Sequence, residues 1–217
     1  MKQVNPNKFF TKLKWIDGQP LPDVIEPYRR AIFEQALYLF DGTRPKYNLI
    51  LTGRAKKNWK SADLILAALY RLLVWNSPGG NQCYALGNDL AQANDNLELA
   101  KKIVAINPPI ADFVTVKQNL IERKDGKGLF EILPAGDVVG THGKTYLFVG
   151  FDEIHGYKTW DILEAMQLDP TRPDALMWIT SYASIYHRPG VPLFDLLASG
   201  KKARTRACSS RGTQPTT

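Results

Sequence analysis

The chain has few of the residues that build disulfide frameworks and metal centres. Its 217 residues include two cysteines, Cys83 and Cys208, and three histidines, and neither type has the spacing of a metal site. No apolar run approaches the ~18 to 20 residues that cross a bilayer, and the first residues lack the apolar core of a signal peptide. These absences predict a cytoplasmic protein without a structural metal ion.

The charge of the chain says little about a partner of its folded part. The formal net charge is +7, but five of the 28 Lys and Arg residues lie after position 200, where no acidic residue occurs. The first 200 residues carry 23 basic and 21 acidic side chains, which supports nucleic-acid binding only weakly. Segment 201–217 lacks apolar periodicity, and we expect a disordered basic tail that results from a truncated or altered reading frame.

What the sequence does contain is a regular alternation of short apolar segments and amphipathic segments. Helices are predicted over 27–40, 61–75 and 88–107, and later in TWDILEAMQL and PLFDLLASG. Strands are predicted in YNLILT, in QCYALG, on both sides of a KDGKG turn, in TYLFVGFDEIH and in ALMWITSYAS. The alternation predicts one α/β domain over 1–200, with an irregular arm over 1–22 and a mostly parallel sheet between helices.

The segment GRAKKNWKS, residues 53–61, joins the YNLILT strand to a long apolar-faced helix. In a phosphate-binding loop of this kind, backbone N–H groups hold phosphates, a lysine such as Lys60 reaches the terminal phosphates, and a hydroxyl such as that of Ser61 ligates Mg²⁺. Trp59 stands where such a loop has glycine, at a cost of about 1 to 3 kcal/mol unless the loop takes another path. Alone, the segment fits a solvated basic turn equally well.

Two later strands end in side chains that suit the same chemistry. YLFVGFDEIH ends in Asp152 and Glu153 at the carboxyl edge of the predicted sheet, where Asp152 could hold Mg²⁺ and Glu153 could polarise an attacking water. WITSYAS carries Thr180 and Ser181, which could sense the γ-phosphate. An acidic helix cap and an ordinary strand end would explain either motif alone. The three motifs in this order are the layout of a P-loop ATPase.

Together these motifs resemble those of the large terminase subunit of tailed bacteriophages, whose ATPase domain pumps DNA into a capsid. AKKNWKS resembles the family's Ala-Arg-Lys-Asn-Gly-Lys-Ser loop except at Lys56 and Trp59. DEIH resembles its acidic motif, TSYAS its coupling motif, and THGK its His-Gly pair, and the similarity spans about residues 20 to 200. Arg29 stands where the family has an aromatic–Gln pair that contacts adenine, so the sequence leaves base recognition open.

The resemblance implies a three-layer P-loop NTPase fold of the ASCE, RecA-like type, with ATP and Mg²⁺ as cofactors. The implied nucleotide site comprises Arg54, Ala55, Lys56, Lys57, Asn58, Trp59, Lys60 and Ser61; the implied metal ligands are Ser61 and Asp152; and the implied coupling residues are Thr180 and Ser181. Glu153 would activate water. Arg54 or Arg123 would stabilise charge at the γ-phosphate, in cis or in trans, although Arg123 also fits a solvated hairpin residue.

The resemblance also implies partners and a place of action. These are double-stranded DNA, a portal protein, a small terminase subunit and a ring of identical copies, expected to be a pentamer, at the procapsid portal in the host cytoplasm, with no membrane. Such subunits continue into a nuclease domain, which we expect this chain to lack, so no DNA cleavage is expected. Two alternatives stay open: a fragment of a helicase with an Asp-Glu-x-His motif, or a nucleotide-independent assembly or DNA-binding protein if Trp59 blocks the loop.

Overall fold

Helices and strands alternate along the chain, as the apolar pattern predicts. The computed structural model describes residues 4–42, 44–87, 90–134, 138–182, 186 and 188–209. The helices are α1 Pro6–Phe10, α2 Leu21–Val24, α3 Pro27–Tyr38, α4 Lys60–Leu73, α5 Leu90–Ala105, α6 Pro108–Ala111, α7 Val138–Thr141, α8 Asp161–Ala165 and α9 Pro192–Ser209. The strands are β1 Phe40–Asp41, β2 Arg44–Pro45, β3 Leu49–Gly53, β4 Asn81–Gly87, β5 Val114–Val116, β6 Leu120–Arg123, β7 Gly128–Pro134, β8 Phe148–Phe151 and β9 Leu176–Ser181.

The main sheet has seven strands in the order β3-β9-β8-β4-β7-β6-β5. The strands from β3 to β7 in this order are parallel neighbours, whereas β6 and β5 pair antiparallel at one side. This arrangement confirms the predicted α/β fold with a mostly parallel sheet. Because the parallel strands end at the same edge, the residues that follow β3, β8 and β9 are gathered there.

Buried apolar side chains cover both faces of this sheet. Leu66 of α4 and Trp178 of β9 belong to a cluster on one face, and Leu163 of α8 and Ile179 of β9 belong to a cluster on the other. Adjacent residues of a strand point to opposite faces, which places Trp178 and Ile179 in different clusters. No helix among the described residues is both long enough and apolar enough to cross a membrane.

Gly150, in the middle of β8, lets α4 lie directly against the sheet. A Cβ atom at Gly150 would lie 2.7 Å from Cδ2 of Leu64, which is closer than two carbon atoms approach without a shift. Because α4 begins at Lys60, this contact helps to hold the start of the helix beside the end of β8. The packing therefore aligns the start of α4, which carries Lys60 and Ser61, with the strand that leads to Asp152.

The prolines of the N-terminal arm suggest an irregular chain, but part of the arm is helical. Residues 6 to 10 form α1, in which the side chain of Asn5 accepts a hydrogen bond from the backbone N–H of Asn7, and Phe10 is buried. Pro6 is compatible with this helix because the first helical position needs no N–H group. Within the arm predicted to be irregular over 1–22, residues 6–10 are thus helical, because proline starts a helix here.

The predicted disordered tail is helical over the part that the structure describes. Helix α9 begins at Pro192, within the predicted PLFDLLASG helix, and continues to Ser209. Segment 201–209 contains no proline or glycine and is rich in lysine, arginine and alanine, which favour helix even without an apolar stripe. The structure thus gives a helix over 201–209, where the sequence suggests a disordered tail, and 210–217 lie outside the described residues.

Candidate functional site

The loop between β3 and α4 opens at the carboxyl edge of the sheet. The backbone N–H of Arg54 donates to the carbonyl of Ser181 at 3.1 Å, which fixes the start of the loop beside the end of β9. Lys60 and Ser61 form the first positions of α4, where backbone N–H groups without helical partners and the helix dipole favour an anion. Strand, loop and helix therefore present the geometry of an anion-binding loop.

Trp59 has the left-handed backbone that glycine would supply at this position. Its φ is 57° and its ψ is 14°. The indole makes an edge-to-face contact with Trp15, at 5.2 Å between ring centroids, and the Cζ atom of Arg29 lies 4.7 Å from its centroid. A left-handed residue with a Cβ costs about 1 to 2 kcal/mol, which contacts of these types can offset. The loop therefore keeps a glycine-like path at Trp59.

A buried ion network supports the loop from the side of α3. One carboxylate oxygen of Asp63 accepts hydrogen bonds from Nε and Nη2 of Arg29 at 2.9 and 2.6 Å, and the other oxygen pairs with Arg54. Asp63 and Arg29 are buried, where an unpaired charge would be strongly unfavourable. The guanidinium of Arg54 is therefore held against α4, and its predicted role at the γ-phosphate stays a prediction.

Asp152 is the centre of the polar contacts at the end of β8. Its Oδ2 accepts from the Ser61 hydroxyl at 2.6 Å and from Nδ2 of Asn96 at 3.2 Å, and its Oδ1 accepts from the Thr180 hydroxyl at 2.6 Å. Asp152 is only 1% exposed, so these contacts replace water around its carboxylate. The structure thus brings the two predicted metal ligands, Ser61 and Asp152, into direct contact.

The predicted coupling residues lie beside the acidic pair. The Thr180 hydroxyl, which donates to Asp152, also accepts from the backbone N–H of Glu153 at 3.3 Å. The Ser181 hydroxyl instead donates to the carbonyl of Tyr182 at 2.9 Å. Glu153 has a left-handed backbone, with φ 58°, directly after the strand. Thr180 is therefore the side chain that links β9 to both acidic residues.

The lysines of the loop meet an aromatic side chain at the same edge. Nζ of Lys60 donates to the carbonyl of Ala55 at 2.9 Å and lies 5.5 Å from the ring centroid of Tyr182, while Nζ of Lys56 lies 4.9 Å from that centroid. The imidazole of His155 packs against the same ring, with 3.7 Å between centroids. Burial lowers the pKa of His155, because a charged imidazole loses hydration there.

Arg123 lies at the opposite end of α4 from the loop. Its Nη1 donates to the carbonyl of Leu72 at 3.1 Å, and its guanidinium pairs with Asp125 in the hairpin turn. Leu72 is in the last turn of α4 and Lys60 is in the first, which separates them by about 18 Å at 1.5 Å per residue. The structure does not bring Arg123 to the loop of its own chain, and a role toward a neighbouring copy stays a prediction.

The oxygen atoms around Asp152 suit a magnesium ion. Mg²⁺ prefers oxygen ligands and commonly takes one or two from protein, with phosphates and water completing its shell. Ser61 and Asp152 offer such a partial set. Within the described part of the chain, no group of three or more His, Cys, Asp or Glu side chains could hold a metal ion by itself. The residues present therefore fit a metal that is shared with a phosphate-bearing ligand.

Some residues of this site were missed at the sequence level. Asn96 is buried in α5 between Ala93 and Ala100, so it is a polar residue within an apolar helical stripe. A buried polar residue needs a hydrogen-bond partner. A polar residue in an apolar stripe is therefore a signal for a polar site, and the sequence contains it. Asp63, in the apolar α4, gives the same signal. For Tyr182 the sequence gives none, because its position depends on how β9 meets the loop.

Comparisons with known proteins identify the fold. No family model and no curated protein matches the sequence. Among solved structures, the large terminase of bacteriophage HK97 matches 92% of this chain with a TM-score of 0.75 and 17% identity, and the chain spans 41% of that protein. A variant ATPase domain of the Thermus phage P74-26 large terminase matches 82% of this chain and 70% of that chain, with a TM-score of 0.55 and 18% identity.

A third solved structure contains a nucleotide. The large terminase of another thermophilic bacteriophage, in complex with ADP, matches 72% of this chain and 39% of that chain, with a TM-score of 0.50 and 12% identity. At these identities the likeness is one of fold. The chain has the fold of large terminase ATPase domains, which confirms the predicted P-loop NTPase architecture.

Proposed function

We propose that the chain is the ATPase domain of a DNA-packaging motor of the large-terminase type and hydrolyses ATP with Mg²⁺. One observation carries the proposal: Ser61, Asp152 and Thr180 are joined by hydrogen bonds of 2.6 Å beside a helix N-terminus that begins with Lys60. A hydroxyl, a carboxylate and an ammonium group at one edge are the parts that bind a metal-bound triphosphate. The fold shared with the HK97 protein supports the same conclusion.

Each residue of the cluster has a role in the proposed reaction. The ammonium group of Lys60 and the backbone N–H groups of the loop would hold the β- and γ-phosphates. Ser61 and Asp152 would hold Mg²⁺, which when bound neutralises phosphate charge. Glu153 would orient the attacking water and accept its proton. Thr180 would transmit a shift of the acidic residues to β9, because its hydroxyl contacts both.

The proposal extends to partners and assembly. The substrate of the motor would be double-stranded DNA, and a portal protein and a small terminase subunit would be partners at a procapsid in the host cytoplasm. The active assembly would be a ring of copies, with a pentamer as the expected number. Because Arg54 is bound to Asp63 and Arg123 lies at the far end of α4, the arginine that stabilises the γ-phosphate would come from a neighbouring copy.

A nucleotide-independent function depends on Trp59 blocking the loop. The ring contacts of Trp59 are with Trp15 and Arg29, on the side of the N-terminal segment and α3. Lys60 instead contacts Ala55 and Tyr182. The contacts of the indole thus differ from those of Lys60, which supports nucleotide binding over this alternative.

Calorimetric titration with ATP and Mg²⁺, combined with a phosphate-release assay, tests the proposal. We expect saturable binding to the wild-type chain and to Glu153→Gln, but turnover in the wild type alone, because Glu153 acts on water rather than on ATP. Lys60→Ala should lose binding, since it removes the ammonium group of the loop. Lys102→Ala, an exposed lysine on α5, is the matched control and should behave as wild type.

Two results would overturn the proposal. One is the absence of saturable binding to wild type at millimolar ATP with Mg²⁺. The other is unchanged hydrolysis by Glu153→Gln, which would remove this residue from the mechanism. A low turnover by wild type does not contradict the proposal when binding is intact, because the neighbouring copy would supply the arginine.

A further inference from the structure

Tyr182 is the one aromatic side chain in the described structure that contacts two of the three lysines of the loop and also the histidine of the acidic motif. Its ring centroid lies 5.5 Å from Nζ of Lys60 and 4.9 Å from Nζ of Lys56. The imidazole of His155 packs on the ring with 3.7 Å between centroids. The ring is therefore placed by three contacts, two of them with the cations of the candidate phosphate site.

The charge of these lysines explains why an aromatic ring is stable there. Within the part of the chain that the structure describes, neither Lys56 nor Lys60 forms an ion pair with a carboxylate. The face of an aromatic ring carries partial negative charge and attracts ammonium groups within about 6 Å. Tyr182 thus supplies weak negative potential to two cations that repel each other.

A bound triphosphate would need the same ammonium groups. An ammonium–phosphate hydrogen bond is about 2.7 to 2.9 Å long, and the Nζ of Lys60 now donates to Ala55 and faces the ring of Tyr182. Phosphate oxygens carry full charge and bind lysine more strongly than a ring face does. Phosphate and ring therefore compete for one place.

We propose that Tyr182 lowers nucleotide affinity. Its ring contacts the ammonium groups of Lys56 and Lys60 when no nucleotide is bound, and the phosphates of the nucleotide displace it. This inference rests on the proposed function and adds a residue to that site. Tyr182 follows Ser181 directly, and Thr180 binds Asp152. The ring that the phosphates displace is therefore only two residues from the side chain that contacts the acidic pair.

Proton NMR of His155 reports the position of the ring. The chain has three histidines, and His155→Gln assigns the signal that belongs to His155. Because Tyr182 packs on this imidazole, its ring current should shift the His155 C–H signals relative to those of Tyr182→Leu at the same pH. ADP is the ligand used, because it has no γ-phosphate that the protein could hydrolyse. At saturating ADP with Mg²⁺, the His155 signals of wild type should match those of Tyr182→Leu.

Two outcomes of this measurement overturn the inference. In the first, wild type and Tyr182→Leu give the same His155 signals without nucleotide, which means that the ring is not on the imidazole. In the second, the wild-type shift persists at saturating ADP, which means that the ring stays in place when phosphates bind.

The affinity for ADP with Mg²⁺ gives an independent test. Loss of the competing ring should make Tyr182→Leu bind about three- to tenfold more tightly than wild type, as expected for one or two exposed cation–π contacts. Tyr182→Phe keeps the ring and should bind as wild type does. Equal or weaker binding by Tyr182→Leu contradicts the inference while leaving the proposed function intact. Binding by neither wild type nor Tyr182→Leu overturns both, whereas binding by Tyr182→Leu alone supports the inference.

Discussion

Trp59 shows how a large side chain can occupy a backbone position that favours glycine. The left-handed conformation places Lys60 and Ser61 at the start of α4, and the indole is anchored by Trp15 and Arg29. The cost of the backbone is about 1 to 2 kcal/mol. The anchoring contacts are made by Trp15 and Arg29, so they stabilise the loop without using Lys56 or Lys60.

Trp59→Gly and Trp59→Ala separate the backbone requirement from the side-chain contacts. Both variants lose the contacts with Trp15 and Arg29, so both should be destabilised, Trp59→Ala by about 2 kcal/mol. Glycine adopts the left-handed backbone without strain, so Trp59→Gly should be about 1 kcal/mol more stable than Trp59→Ala. Urea denaturation measures both free energies of unfolding.

The order of these two variants is the decisive result. Lys57 also has a positive φ, of 58°, but its side chain is exposed. Lys57→Gly and Lys57→Ala therefore provide a matched pair in which only the backbone term differs. If alanine is the more stable replacement at Trp59 and glycine at Lys57, the left-handed backbone is not what position 59 requires.

At the scale of elements, one hydroxyl joins the ends of β8 and β9. The side chain of Thr180 donates to Asp152 and accepts from the N–H of Glu153, while the two strands pair in parallel register, with Phe151 opposite Ile179. In the proposed reaction, a movement of the acidic residues would therefore reach β9 through a single side chain. This contact is shielded from water, because Thr180 is fully buried.

Thr180→Val removes this hydroxyl with little change of shape. A hydrogen bond to a charged group is worth about 1.5 to 3 kcal/mol, so turnover should fall about ten- to hundredfold if the contact acts in the transition state. Binding of ATP should change little, since Lys60 and Ser61 are intact. Steady-state hydrolysis gives the turnover, and calorimetry gives the affinity.

Thr180→Ser is the control for this prediction, because it keeps the hydroxyl and loses a methyl group. It should retain most of the turnover that Thr180→Val loses. Equal turnover in wild type and Thr180→Val would show that the bond between Thr180 and Asp152 has no part in the reaction.

At the scale of the whole molecule, two apolar clusters share one sheet. Leu66 lies in the cluster on the face of α4, and Leu163 lies in the cluster on the face of α8. Strand β9 contributes Trp178 to the first and Ile179 to the second, so neither cluster can open without affecting the same strands. We therefore expect the sheet to unfold as one cooperative unit.

Leu66→Ala and Leu163→Ala test this cooperativity. Each leaves a cavity beside the sheet and should cost about 2 to 5 kcal/mol, with the larger loss for the completely buried Leu66. Both should shift one common transition in urea, followed by tryptophan fluorescence and by circular dichroism. The exposed Leu197 provides the control, and Leu197→Ala should leave the midpoint nearly unchanged. Two separated transitions in either core variant would contradict a single cooperative unit.

The sequence predicted the strands and longer helices of this chain because their apolar spacing is local. It placed β3, β4, β8 and β9 and predicted their parallel arrangement from the helices between them. It did not predict α1 or the extension of α9 over 201–209, where proline and a low apolar content suggested irregular chain. At these ends, helix propensity and a side-chain cap determined the structure instead of an apolar stripe.

For the site, the sequence by itself determined which chemical groups are present: the lysine and hydroxyl of the loop, the paired acids after β8, and the hydroxyls of β9. Their order along the chain also placed them at one sheet edge, since parallel strands end together. Only the tertiary structure decided that Asp152 bonds to Ser61, Asn96 and Thr180, that Trp59 packs against Arg29, and that Tyr182 covers the lysines. These contacts join residues distant in sequence, and their geometry depends on how α4 and β9 pack against their neighbours, which no local pattern encodes.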